Sequence, residues 1–139
     1  MVLLMAVNVY GIGIHFSFKF KNDDYRELID KINNEYKQGD RIYVEPHFNG
    51  WVINYYKKQN SLNITDPVKI KYGWNELQDS LSAQKPERFW LVMDYSAVDT
   101  SEYTSKIGSI TKKYKLEERM TYYLAPAKVE LYRFSNYNH

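Results

Sequence analysis

The spacing of apolar residues along the chain alternates between a period of two and a period near 3.6, and this change separates predicted strands from predicted helices. From residue 12 to residue 20, apolar side chains alternate with small or polar ones, which is typical of a strand. Asp24 and Glu27 then form a capping-box pattern, and apolar residues follow at helical spacing until Gly39. The apolar positions of this first predicted helix are Tyr25, Leu28, Ile29, Ile32 and Tyr36.

The rest of the chain continues to alternate between the two patterns. It predicts strands at Arg41–Glu45, Val68–Tyr72, Phe89–Met93, Met120–Leu124 and Val129–Phe134. It predicts helices at His47–Gln59, at Trp74–Leu81 and from the cap at Asp99 to Tyr114. In the His47–Gln59 helix, we expect Trp51, Val52 and Tyr55 to be buried. The unbroken apolar run Phe89–Met93 is typical of a central strand covered on both faces.

This order of elements predicts an α/β fold. We expect a three-layer arrangement, with a mainly parallel sheet, helices on both faces and a C-terminal antiparallel hairpin. No linker or repeat interrupts the pattern, so residues 12–134 are predicted to form a single domain and residues 135–139 a tail. Two interpretations of residues 1–11 stay open, because no charged residue occurs before Lys19. They form either a buried strand or the remnant of a transmembrane helix.

Composition excludes several classes of function. The 19 Lys and Arg against 17 Asp and Glu leave a net charge of +2, which does not favour a nucleic-acid partner. The absence of cysteine excludes disulfides, thiolate catalysis and Cys-ligated metal sites. The unusual number is 14 tyrosines, whose amphipathic rings suit a hydrated sheet surface, a sugar-contacting face or a membrane-facing surface. Composition does not choose among these three.

Candidate site residues follow two of the predicted strands. Glu45 and His47 come at the end of one strand, and Asp94 and Tyr95 at the end of another. Ligands of open α/β sheets gather at the carboxyl ends of strands, so these four are weak candidates for ligand binding. The structural alternative for Asp94 is helix capping and turn formation. We predict no catalytic residue, no metal site and no cofactor.

Five segments, in order, resemble the C-terminal soluble region of membrane-embedded glycosyltransferases of the dolichyl-phosphate-mannose protein mannosyltransferase type. They are DDYRELIDKI (residues 23–32), QGDRIYVEP (38–46), NGWVINYYKK (49–58), RFWLVMDY (88–95) and KVELYRF (128–134). The resemblance covers nearly the whole chain in order and spacing. It consists of packing patterns and includes no catalytic signature.

The resemblance implies a domain on the extracytoplasmic face of an integral membrane protein that transfers a sugar from a polyprenyl-phosphate donor. Its partners would be the membrane portion of the same polypeptide and a glycan or protein acceptor, which the domain would bind or cover as a lid. The family's catalytic acidic residues lie in an early loop between transmembrane helices, and no position of this chain corresponds to them. The isolated chain is therefore expected to be inactive.

Two other hypotheses stay open. The chain could be a free-standing α/β binding or interaction module that forms a homodimer through an exposed edge strand and its tyrosines. It could also be a small enzyme that uses Glu45, His47 and Asp94, which requires these side chains to share one cleft.

Overall fold

A computed structural model of the chain describes residues 25–46, 49–70, 73–95, 100–124 and 127–137. Its helices are α1 (residues 25–35), α2 (Asn49–Gln59), α3 (Trp74–Gln84) and α4 (Thr100–Thr111). Its strands are β1 (Arg41–Glu45), β2 (Val68–Lys69), β3 (Arg88–Asp94), β4 (Tyr114–Leu124) and β5 (Ala127–Asn136). The predicted strand at 12–20, the two interpretations of residues 1–11, and the caps at Asp24 and Asp99 lie outside the described residues.

The five strands form one mixed sheet in the order β2-β1-β3-β5-β4. β1 is parallel to β2 and β3, whereas β5 is antiparallel to both β3 and β4. The prediction of a mainly parallel sheet is therefore wrong, and that of a C-terminal antiparallel hairpin is confirmed. β4 runs in the same direction as β3, as a crossover through α4 requires. The sheet is mixed because β4 leaves one position open beside β3, and the antiparallel β5 fills it.

Each face of the sheet has its own hydrophobic core, because alternate residues of a strand point to opposite sides. On the first face, α1 and α2 pack against the sheet. This core includes Leu28, Ile29, Ile32, Ile42, Val44, Ile53, Tyr56, Trp90, Val92, Val129 and Leu131. On the second face, α3 and α4 pack against the sheet. That core includes Tyr43, Leu77, Leu81, Phe89, Leu91, Met93, Tyr103, Ile110, Tyr132 and Phe134.

Helix α2 turns a different side to the sheet from the one predicted. Ile53 and Tyr56 are buried and Val52 is half-buried, whereas Trp51 is 69% exposed and Tyr55 is 58% exposed. The expectation that Trp51 and Tyr55 are buried is wrong. Apolar and aromatic side chains occur all round this helix, so the spacing does not single out one face.

The boundary between α4 and β4 also differs from the prediction. The helix ends at Thr111, a turn follows at Lys112 and Lys113, and β4 begins at Tyr114. Tyr114 is buried as a strand residue and not as the last helical one, and β4 starts six residues before the predicted Met120. β5 continues to Asn136, two residues past the predicted end of the domain.

A buried network around Asp40 joins the end of α1 to the central strand. Gly39, with φ +100°, makes the turn that precedes Asp40, a conformation that glycine adopts without strain. The Asp40 carboxylate accepts hydrogen bonds from Arg88 Nε at 2.9 Å, Arg88 Nη2 at 2.5 Å and Trp90 Nε1 at 2.9 Å. It also accepts one from the backbone N–H of Lys37 at 3.1 Å. Hydrogen bonds from this many donors offset the desolvation cost of burying the carboxylate.

Candidate functional site

The carboxyl ends of β1 and β3 lie at one edge of the sheet, where the sequence predicts ligand-binding residues. Glu45 is paired with Met93, and Asp94 is paired with Val129 of β5. Both Glu45 and Asp94 are buried. The structure therefore places the two carboxylates at the same edge and one residue apart in register.

The two side chains nevertheless point to opposite faces of the sheet. Glu45 is in line with Tyr43, which belongs to the core of the second face, and Asp94 is in line with Val92 of the first face. Glu45 and Asp94 therefore do not share one cleft. His47 lies outside the described residues.

Glu45 lies beside the beginning of α3. Its Oε1 atom is 4.0 Å from the position that a Cβ atom would take on Gly73, the residue that precedes the helix. Because the residue before the helix is glycine, no side chain caps the first backbone N–H groups of α3. These N–H groups carry partial positive charge. The buried carboxylate of Glu45 therefore lies close to the N-terminal end of α3.

Asp94 acts on the opposite side of the sheet, toward α1. The pKa of Tyr25 is raised above its usual value, first by burial and second by the negative charge of Asp94. Tyr25 therefore stays protonated over the whole physiological range. The ligand-binding roles of Glu45, Asp94 and Tyr95 stay predictions.

Tyr95 leads to a residue that the sequence analysis missed. Its hydroxyl donates a hydrogen bond of 2.8 Å to Oε2 of Glu130, and it lies 2.7 Å from the hydroxyl of Tyr132. Glu130 is 0% exposed, and Tyr132 also donates to its Oε2. Arg119 Nη2 and Lys128 Nζ reach its other oxygen, Oε1, at 2.6 and 2.5 Å. We call these five residues the Glu130 cluster.

The Glu130 cluster lies on the same face and in the same row of the sheet as Glu45. Met93 pairs with Glu45 on one side and with Glu130 on the other. Two buried carboxylates thus flank Met93 at the carboxyl edge of β3. The cluster is further packed by Tyr103 of α4, whose ring centroid is 4.6 Å from that of Tyr95.

Electrostatics in the cluster hold each group in one protonation state. Burial alone would raise the pKa of Glu130, but hydrogen bonds from Arg119, Lys128, Tyr132 and Tyr95 outweigh it and lower the pKa to about 2. Burial is also the main reason that the pKa of Tyr95 rises to about 12 and that of Tyr132 rises further. Near neutral pH the cluster contains one carboxylate, two cations and two neutral phenols.

This arrangement does not suit proton transfer. A general acid or base works best when its pKa lies near the working pH, and neither Glu130 nor Tyr95 meets that condition. Both carboxylate oxygens of Glu130 already accept two hydrogen bonds each. The cluster therefore fixes the position of β4, β5 and the segment after β3, as a structural network does.

A sequence signal for Glu130 exists in retrospect. In KVELYRF, residues Val129 and Leu131 alternate with Glu130 and Tyr132, and both sets are buried. A strand with apolar residues on both faces lies inside a sheet, so a carboxylate within it needs partners from neighbouring strands. The pattern could have indicated a buried Glu130, but not the identity of its four donors.

A cleft of about 310 Å³ opens elsewhere, between α3 and α4. Its lining includes the buried Leu81, Ile110 and Tyr114 and the exposed Lys85 and Lys113. Lys85 directly follows α3 and Lys113 lies two residues after α4, positions where a positive charge offsets the partial negative charge of the helix terminus. Helix termination thus accounts for the two cations without a ligand.

The described residues contain no group of three or more histidine, aspartate and glutamate side chains that could hold a metal ion. None of the helices in that part of the chain combines the length and the apolar character needed to cross a bilayer. No family model, no curated protein and no solved structure matches the chain.

Proposed function

We propose that the chain is a non-catalytic, extracytoplasmic C-terminal domain of a polytopic glycosyltransferase that uses a polyprenyl-phosphate sugar donor. The domain binds the acceptor or closes over the membrane-embedded site as a lid. Its partner is the membrane portion of the same polypeptide. The two cores on opposite faces of the sheet support a three-layer arrangement for this domain.

The observation that supports the proposal most is the Asp40 network. Asp40 belongs to the QGDRIYVEP segment of the resemblance, and Arg88 and Trp90 belong to the RFWLVMDY segment. The two segments are 48 and 50 residues apart at these positions, yet their polar side chains meet in one buried network. A polar network of specific residue types is a more selective feature than apolar spacing alone.

The other segments of the resemblance also fold as separate elements. NGWVINYYKK lies in α2, and KVELYRF lies in β5. The described part of DDYRELIDKI lies in α1. The pKa values of Glu130 and Tyr95 lie far from neutral pH, so the Glu130 cluster is unsuited to acid–base catalysis. This supports a domain that assists catalysis performed elsewhere.

The experiment that tests the proposal is sequencing of the genomic DNA upstream of the Val2 codon. We expect an open reading frame that continues upstream and encodes several hydrophobic segments, each long enough to span a bilayer. A stop codon immediately upstream would contradict the proposal. The isolated chain, given a polyprenyl-phosphate sugar and an acceptor peptide, should transfer no sugar, and measurable transfer would contradict a non-catalytic role.

A second candidate function is a free-standing interaction module that forms a homodimer, and the edge strand β4 favours it. β4 has eleven residues and pairs only with β5 among the described strands. Tyr123, at its far end, is 77% exposed. An edge of this length can extend a sheet by pairing with a second copy.

For this alternative, sedimentation equilibrium should show a dimer of the wild-type chain. The substitution Tyr123→Lys adds a positive charge to this edge in both copies. Repulsion between the two edges should shift the equilibrium toward monomer. A wild-type chain that stays monomeric at high micromolar concentration would exclude the homodimer.

A further inference from the structure

The outward side of α2 carries a stripe of amphipathic and basic residues. Trp51, Tyr55 and Lys58 are spaced by four and three residues, so they lie along one side of the helix. Trp51 is 69% exposed and Tyr55 is 58% exposed, and Lys58 is also exposed. Together with Lys69 of β2, these residues form what we call the α2 outer face.

The two rings are held in place, although they are exposed to solvent. The side chain of Lys69 crosses the helix at Gly50, where a Cβ atom would lie only 2.8 Å from Lys69 Cγ. Its ammonium group then lies 5.3 Å from the centroid of the Trp51 ring, within range of a cation–π interaction. The Tyr55 ring packs edge-on against the buried Tyr56, with 5.4 Å between centroids.

The charge of the α2 outer face is positive. Helix α2 contains no acidic residue. The nearby Asp66 pairs with Lys57 at 2.7 Å, and this contact, together with the charges of Lys57 and Lys69, lowers the pKa of Asp66. Within the part of the chain that the structure describes, Lys58 forms no ion pair. Lys58 and Lys69 therefore give the face a net positive charge beside its two aromatic rings.

We propose that the α2 outer face docks onto an anionic phospholipid surface. Tryptophan and tyrosine favour the headgroup level of a bilayer, where the ring contacts apolar chains and the N–H or O–H group stays hydrated. Lysines beside them attract anionic headgroups, and their stems can lie along the apolar boundary.

The size of the face favours a lipid surface over a folded protein partner. A stable protein interface usually takes roughly 20 to 30 residues from each side with large apolar side chains at its centre, whereas Trp51 and Tyr55 are the only large apolar side chains that α2 exposes. A lipid surface has no fixed shape to match, so two rings and two cations can each contribute separately. Such a contact is weak by itself and reversible, and it would set the orientation of the first face toward the membrane. This inference does not depend on the proposed glycosyltransferase role.

The experiment is vesicle co-sedimentation of the full chain, with phosphatidylcholine vesicles and with mixed phosphatidylcholine and phosphatidylglycerol vesicles as probes. We expect sedimentation with the anionic vesicles that weakens as salt is added, because screening reduces the attraction. The double substitution Trp51→Ala with Tyr55→Ala should lower the partition coefficient about tenfold. Lys58→Gln should lower it on anionic vesicles only.

Matched controls are available on the same chain. Tyr123→Ala removes an aromatic ring that is as exposed as Trp51 but lies on β4, and it should leave the partition coefficient unchanged. Lys112→Gln removes an exposed lysine of the turn before β4 and should also have no effect. Anionic vesicles should shift the tryptophan emission to the blue in the wild type and not in Trp51→Phe, since Trp90 is buried and Trp74 packs against the core of the opposite face of the sheet.

Three results would overturn the proposal. The first is a wild-type chain that sediments with neither vesicle. The double variant could sediment as the wild type does, which would place the lipid contact in another part of the chain. Finally, Trp51 could prove inaccessible to acrylamide without vesicles, which would mean that another segment, a second copy or a protein partner covers the α2 outer face.

Discussion

Replacing Trp90 with alanine is expected to lower the free energy of unfolding by about 4 kcal/mol. Trp90 is 1% exposed and packs in the core of the first face, so its removal leaves a large cavity. It also removes the indole N–H that donates to Asp40, and the buried carboxylate loses one of its partners. Chemical denaturation followed by circular dichroism measures the change.

The control for Trp90→Ala is the same substitution at Trp51, which should change the free energy of unfolding by less than about 0.5 kcal/mol. If Trp90→Ala leaves too little folded protein, Trp90→Phe keeps most of the ring and should cost about 2 kcal/mol through the lost hydrogen bond and volume. If alanine lowers the free energy of unfolding equally at positions 51 and 90, Trp51 is not on the exposed side of α2.

The second large effect expected is a loss of stability in acid through Glu130. Its pKa falls from an ordinary 4.5 to about 2 in the folded chain, so the folded state favours the ionised form. The stability that Glu130 contributes is fully present above pH 4.5, where its side chain is ionised in both the folded and the unfolded chain. It is lost as the pH falls toward 2, because the side chain is then protonated in both states. The difference amounts to about 3 kcal/mol.

Substitution isolates the contribution of Glu130 from that of other carboxylates. Glu130→Gln cannot titrate, so its unfolding free energy should depend less steeply on pH between 4.5 and 2 than that of the wild type. Tyr95→Phe removes one of the four donors and should give an intermediate slope. Identical slopes for the wild type and Glu130→Gln, measured by urea titration at several pH values, would show that the carboxylate is not held as described.

The sequence predicts the central strands well because their patterns are unambiguous. Arg41–Glu45 is the observed β1, and Phe89–Met93 lies within β3. Both are short runs rich in β-branched and aromatic residues with charged residues and a turn signal close by, a combination that favours a buried strand over a helix. Leu77 and Leu81, spaced by one helical turn, are buried in α3 as a helix requires.

The prediction is weaker where two periods fit the same residues. Tyr103, Ile107, Ile110 and Tyr114 are all at helical spacing, and no glycine or proline marks the end of α4. Tyr114 therefore reads equally well as the last helical residue or the first strand residue, and the pairing of Tyr114 with Asn136 decides for the strand. Pairing of this kind is a tertiary contact that local spacing does not encode.

The candidate site shows the same division between local and tertiary information. Strand ends can be located from the sequence, and the carboxyl ends of β1 and β3, with Glu45 and Asp94, do lie at one edge of the sheet. Which face each side chain takes depends on register, and a shift of one residue reverses it. The Glu130 cluster joins residues of β4 and β5 with Tyr95, which lies just after β3. Predicting the cluster requires the order of the strands in the sheet, and the spacing of residues along the chain does not give that order.

The position of β5 has a consequence for how the chain folds during synthesis. β5 follows all the other described strands in the chain, yet it lies between β3 and β4 and pairs with both. One edge of β3 therefore stays unpaired, and both cores stay incomplete, until residues up to Asn136 have left the ribosome. Nascent chains shorter than this expose an apolar strand edge, so they are expected to need chaperones and to be sensitive to proteases.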